Sequence, residues 1–234
     1  MANLTNKEFI EIEFTGRTKD GEIFDSNIKE DLKKANLQKA LPNVKPFVFC
    51  LGQKMFLEPI DKFLIGKEIG KEYEIELTPE KAFGARNPKL IKIIPIKIFR
   101  EQKLNPLPGM VFNFDNQLAK IISVSGGRVV TDFNNPLAGK IVVYKIKVLR
   151  KIEDINEKIK ALMEFCFKKE FKFEINEKDN TLVIEVEKQI KPFFELFKDR
   201  FKEILGLSLE LKDNGVKTEK KELEKEKTPN KEPS

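Results

Sequence analysis

Apolar–polar alternation returns in three distant runs, EFIEIEF at 8–14, KEYEIEL at 71–77 and KIVVYKIKVLRKI at 140–152, and such runs fold as strands with one buried face. Around them, Thr15–Gly21 reads as a connection holding an Asp20-Gly21 turn, and EIFDS reads as a strand. A helix is predicted over Lys29–Leu41, with Leu32, Leu37 and Leu41 on one stripe and Pro42 ending it. PFVFCL is the next strand, closed by Gly52, and MFLEPIDKFLIG holds one short helix before Gly66. Past Phe83-Gly84 the prolines at 88, 95, 106 and 108 cut the chain into short pieces. MVFNF, LAKIISV and RVVTDF follow as strands, the last two joined at Ser125-Gly126-Gly127. From an N-cap at Asp154, Ile155, Ile159, Leu162, Met163, Cys166 and Phe167 recur at helical spacing. Strands EFKFEI and TLVIEV come next, then a helix from about Lys191 carrying Phe193, Phe197, Phe201, Ile204 and Leu205, stopped by Gly206, with LSLEL as a last short strand. The expected class is α+β.

Composition removes whole groups of mechanisms. The 234 residues contain no histidine, which excludes His-based acid–base catalysis, His–metal sites and a Ser-His-Asp relay. Neither a cofactor nor a metal is expected. Charges of 44 and 38 leave +6, with lysine far ahead of arginine, so nucleic-acid binding is unsupported beyond the basic pI of 9.0. No apolar run approaches the roughly 20 residues of a bilayer span, and MANLTNKEFIEIEF lacks the features of a signal peptide, so a cytoplasmic location and no membrane partner are expected. Cys50 and Cys166 lie in apolar stretches and read as buried reduced thiols. Residues 213–234 hold almost no large apolar side chain and read as a disordered charged tether.

Phenylalanine is the anomaly, with 20 copies beside two tyrosines and no tryptophan. Taken singly, Phe14, Phe24, Phe47, Phe56 and Phe83 read as core, and Asp25 as a turn or capping residue before Ser26. Their setting argues otherwise: FTG at 14–16, DGEIFDS at 20–26, KPFVFCLG at 45–52 and TPEKAFG at 78–84 stand in fixed order. Together these resemble the FKBP-type prolyl isomerases over residues 8–84 and again over Val142–Leu149. The intervening segment closing with NPLAGK resembles the insert-in-flap module of SlyD-like and archaeal long-chain members. The resemblance implies a discontinuous isomerase domain (1–84 with 137–152), an antiparallel sheet wrapped on a short helix. It also implies a small β-rich flap domain (85–136) and a C-terminal α-β-β-α domain (153–212).

Carried over by motif, the resemblance gives a pocket in which Asp25, Phe83 and Tyr144 are catalytic and Phe14, Phe24, Phe47, Phe56, Leu57 and Ile60 bind substrate. Ile60 takes a place where many members have tryptophan, and Phe14 and Phe83 stand where many have tyrosine. Phenylalanine at 83 offers no hydroxyl to a substrate carbonyl. The backbone N–H of Leu57 remains as a donor. Glu58-Pro59 and Asp61 read only as a helix start. The activity implied is prolyl cis/trans isomerisation in unfolded or partly folded polypeptides, with chain-holding by the insert and the C-terminal domain. The alternative is a non-catalytic polypeptide-binding chaperone on the same fold. The Phe-rich C-terminal helix stays open to three readings: ordinary core, a holding surface, or a homodimer seam.

Overall fold

The computed structural model describes residues 3–37, 44–114 and 117–213, and the chain divides into two compact units, Met1–Ala161 and Leu162–Ser234. The first unit opens with β1 (Phe9–Thr18), β2 (Ile23–Ser26), α1 (Lys29–Lys34), β3 (Phe47–Cys50), α2 (Glu58–Leu64) and β4 (Glu72–Leu77). After them come β5 (Ile91–Pro95), α3 (Ile96–Glu101), β6 (Val111–Phe114), β7 (Gln117–Ser125), β8 (Arg128–Asp132) and β9 (Val142–Ile152). Two antiparallel sheets result: β2-β1-β9-β4 with β3 also on β1, and β5-β8-β7-β6. The longest alternating run, β9, lies between β1 and β4 and has Val142, Ile146 and Val148 fully buried.

β1 runs on through Thr15–Thr18, so the segment read as a connection is strand as far as Thr18, and the Asp20-Gly21 turn follows it. Its free edge is shared: Phe9–Ile12 pair with β3 and Thr15–Arg17 with β2. The gap between the two is filled by a side chain. Asn27 Oδ1 accepts the Phe14 N–H at 2.7 Å while Asn27 Nδ2 donates to the Ile12 carbonyl at 2.9 Å. Asn27→Ala leaves both backbone groups unpaired in a half-buried setting, and a loss of about 2 kcal/mol in urea unfolding is expected. An unchanged midpoint would show that water replaces the amide.

Other departures are local. α1 ends at Lys34, not near Leu41: Asn36 takes a left-handed φ of 56° and the Leu37 N–H closes back on the Leu32 carbonyl at 2.9 Å. Leu41 and Pro42 lie outside the described residues, as does the tail beyond Asp213. IIPIKIF divides at Pro95 into β5 and the helix α3, whose Phe99 enters the second sheet's core with Ile121 and Val129. That sheet is clipped at its neck: Arg86 pairs with Asp132, Asn134 bonds both ways with Asn87 backbone, and the Gly139 N–H donates to the Gly84 carbonyl at 2.8 Å.

From α4 (Ile155–Phe167) on, the order is β10 (Phe173–Asn176), β11 (Thr181–Val186), α5 (Lys191–Glu195), α6 (Lys198–Leu205) and β12 (Ser208–Asp213). Asp154 caps α4 through the Glu157 N–H at 2.8 Å, and Gly206 ends α6 at φ 72°. The helix predicted from Lys191 is two helices, broken at Leu196-Phe197, and β12 adds a parallel strand to β11, so the order is α-β-β-α-α-β and not α-β-β-α. Phe167 stacks on Phe194 at 3.9 Å inside the second unit. Among the described residues no helix is long and apolar enough to cross a membrane.

Candidate functional site

One cross-strand row organises the site. Asp25 on β2 and Tyr144 on β9 are both register partners of Gly16 on β1, and Ile75 on β4 is the partner of Tyr144. Cross-strand partners project to the same face of a sheet. Gly16 leaves that row open at its centre: a Cβ there would lie 2.8 Å from Phe24 Cζ and 2.9 Å from Tyr144 Cε1. The glycine therefore lets two rings close over the strand. Phe14, two residues earlier, shares this face.

The rings form one connected group. Phe83 meets Phe24 at 5.7 Å, edge to face, and Phe24 meets Tyr144 likewise at 5.7 Å. Tyr144 continues to Phe56 at 5.7 Å and to Phe14 at 6.2 Å, and Phe14 touches Phe56 at 5.0 Å. Phe47 closes on Phe56 at 5.6 Å and stacks on Phe49 at 5.3 Å. All six predicted aromatic residues thus stand together. Phe49, fully buried behind Phe47, is a seventh ring that the sequence reading did not name, although it lies within the KPFVFCLG motif. Edge-to-face geometry at these distances adds to simple area burial.

Asp25 stands at this group half-buried. Burial raises its carboxyl above the ordinary aspartate value, partly offset by a hydrogen bond from the Ser26 backbone N–H. Burial, and then the nearby Asp25 charge, hold the Tyr144 phenol well above its usual value, so it stays protonated. The capping work near Asp25 falls to Ser26, whose Oγ accepts the Ile28 N–H at 3.0 Å and donates to the Phe14 carbonyl at 3.0 Å.

Leu57, next after Phe56, is the N-cap of α2; its carbonyl accepts the Ile60 and Asp61 N–H groups, and its own N–H donates to no group among the described residues. Ile60 is fully buried on the first turn of α2. Glu58 and Pro59 behave as a helix start, with Glu58 paired to Lys62 at 2.7 Å.

Asp61 does more than begin a helix. It is 1% exposed, and one carboxylate oxygen takes the Lys54 N–H at 3.2 Å while Oδ1 has no partner among the described residues. Burial pushes its carboxyl up to about 6, with the Lys54 and Gly52 backbone N–H groups opposing. The loop it holds leads to Phe56 and Leu57. The fold favours the neutral acid, so this stabilisation is complete below the unfolded value near 3.8 and is lost as pH rises through about 6. The difference amounts to roughly 3 kcal/mol. Asp61→Asn is expected to gain stability relative to the parent between pH 4 and pH 7, on top of a pH-independent offset. Parallel pH profiles in urea unfolding would refute this.

A sequence model of the FKBP-type peptidyl-prolyl cis-trans isomerase matches residues 2–99, and one described as FKBP26, IF domain, matches residues 92–137. A short-type peptidyl-prolyl cis-trans isomerase of Methanocaldococcus jannaschii is 32% identical over 149 residues, 63% of this chain and 94% of that protein. The chain belongs to the FKBP-type peptidyl-prolyl cis-trans isomerase family. This FKBP-type chain is also similar to the FKBP-type 16 kDa isomerase of Escherichia coli K12, at 31% identity over 112 residues, 46% of this chain and 74% of that one. SlyD of Helicobacter pylori J99 is 30% identical over 145 residues, 60% and 70% of the two chains.

Proposed function

We propose that the aromatic group is the prolyl site, that it rotates Xaa-Pro bonds in unfolded or partly folded polypeptides, and that the β5–β8 insert captures those chains. The observation carrying this reading is the closed set of seven rings beside a half-buried carboxylate, with the N–H of Leu57, next along the chain from Phe56, lacking a partner among the described residues. A prolyl amide must lose resonance as it twists, against a barrier of ~20 kcal/mol. The twisted amide is less dipolar than the planar one, so an apolar bowl that strips water disfavours the ground state relative to the transition state. Removing about 5 kcal/mol would speed rotation several thousandfold. In this reading Phe14, Phe24, Phe47, Phe56 and Phe83 hold the pyrrolidine ring, and Ile60 supports them from α2. Leu57 donates to a substrate carbonyl, while Asp25 and the protonated Tyr144 set the field around the rotating bond without moving a proton.

Support for capture comes from the insert's outer face. Ile93, Val111 and Leu118 are 63%, 57% and 64% exposed although they alternate with core residues Ile94, Phe112 and Ala119. A chain held there keeps its proline bonds near the bowl at raised effective concentration. Phe193 of α5 and Leu196 just after it, 49% and 78% exposed, support the same role, or a homodimer seam, for the C-terminal region. The test is refolding of a protein limited by one prolyl bond: a substoichiometric amount of this chain is expected to accelerate it. Binding without acceleration would leave only the non-catalytic chaperone.

A further inference from the structure

Next to the bowl a groove of about 700 Å³ runs between the first turn of α2 and the end of β4. Three of its residues tie it to the rings. Leu57 follows Phe56, Ala82 precedes Phe83, and Ile75 is the register partner of Tyr144. The floor is apolar, since Ile75, Leu77 and Ala82 line it and Leu77 is 2% exposed. Charges around it largely cancel: Glu58 is paired with Lys62, Glu76 lies 3.4 Å from Lys19, and Glu80 adjoins Lys81. A groove of that make selects for apolar bulk and not for charge.

The direction of the substrate follows from the reaction. The carbonyl before proline swings as the bond rotates, so a fixed backbone donor suits the carbonyl of proline itself, which lies beyond the rotating bond. With that carbonyl on the Leu57 N–H, the following residue leaves past Leu57, whose other side is the groove wall.

We propose that this groove is a second substrate subsite, receiving a large aliphatic or aromatic side chain from the residue after proline and so deciding which prolyl bonds are preferred. The assignment rests on the bowl being the prolyl site. Amide spectra of the full-length, nitrogen-15-labelled chain titrated with blocked Ala-Leu-Pro-Leu and Ala-Leu-Pro-Gly separate the two ideas. Both peptides are expected to shift the Leu57 and Tyr144 amides, and only the leucine peptide to shift those of Leu77, Lys62 and Glu80 while binding about fivefold tighter. Equal affinities, with Leu57 and Tyr144 shifted and the groove amides unmoved by both peptides, overturn the subsite and leave the bowl standing. Leu57 and Tyr144 unmoved by either peptide would overturn the bowl, and the subsite with it.

Discussion

Gly16→Ala is expected to lower kcat/KM on proline tetrapeptides about a hundredfold while the protein still folds. The added methyl would stand 2.8 Å from Phe24 Cζ and 2.9 Å from Tyr144 Cε1, closer than carbon atoms approach, so at least one ring has to move. Overpacking of this kind typically costs about 1–3 kcal/mol, within reach of a stable domain. Catalysis is less tolerant. Phe24 is the link between Phe83 and Tyr144, and Tyr144 links onward to Phe14 and Phe56, so displacing either ring opens the bowl to water. Asp25 and Tyr144 are both register partners of Gly16, so a shift of the Tyr144 ring also changes its distance from the Asp25 charge. The check is tetrapeptide turnover beside an amide spectrum that certifies the fold. A folded variant with full activity would move the chemistry away from this row.

What could be read beforehand divides by the range of the interaction. Asp154, Gly206 and the alternating strands act through their own neighbours in sequence, and each does in the structure what its pattern implied. Helix ends without such a signal are not legible: Lys29–Leu41 has good helical propensity throughout, yet a left-handed Asn36 stops it, because propensity is weak beside packing. The site shows the same division. The rings are legible through the resemblance that local motifs carry, whereas Gly16, Asn27 and Asp61 owe their roles to partners supplied by other elements. Asn27 mends a gap that exists only once β2 and β3 share one edge of β1. Asp61 is buried only because a loop folds its N–H groups onto the carboxylate.

Placing lysine at both Ile93 and Leu118 is expected to lower kcat/KM for a proline-limited refolding protein by about a hundredfold and tetrapeptide turnover by less than twofold. The second sheet has apolar residues on both faces. One face packs Ile94, Ile121, Val124 and Val129 around Phe99, whereas Ile93, Val111 and Leu118 project the other way and remain largely open. Two ammonium groups on the open face make it poor at holding apolar chain, and because neither residue supports the core, stability should change by about 0.5 kcal/mol or less at each site. A short peptide has too little chain to touch the insert and the bowl together, so it reports the bowl alone. An unfolded protein reaches both, and a tether raises the effective concentration of its proline bonds by a factor on the order of 10²–10⁴. The ratio of the two rates therefore isolates capture from chemistry. Equal losses on both substrates would mean that the insert acts by shaping the bowl through the Gly84–Gly139 neck, and unchanged rates on both would mean that clients bind elsewhere.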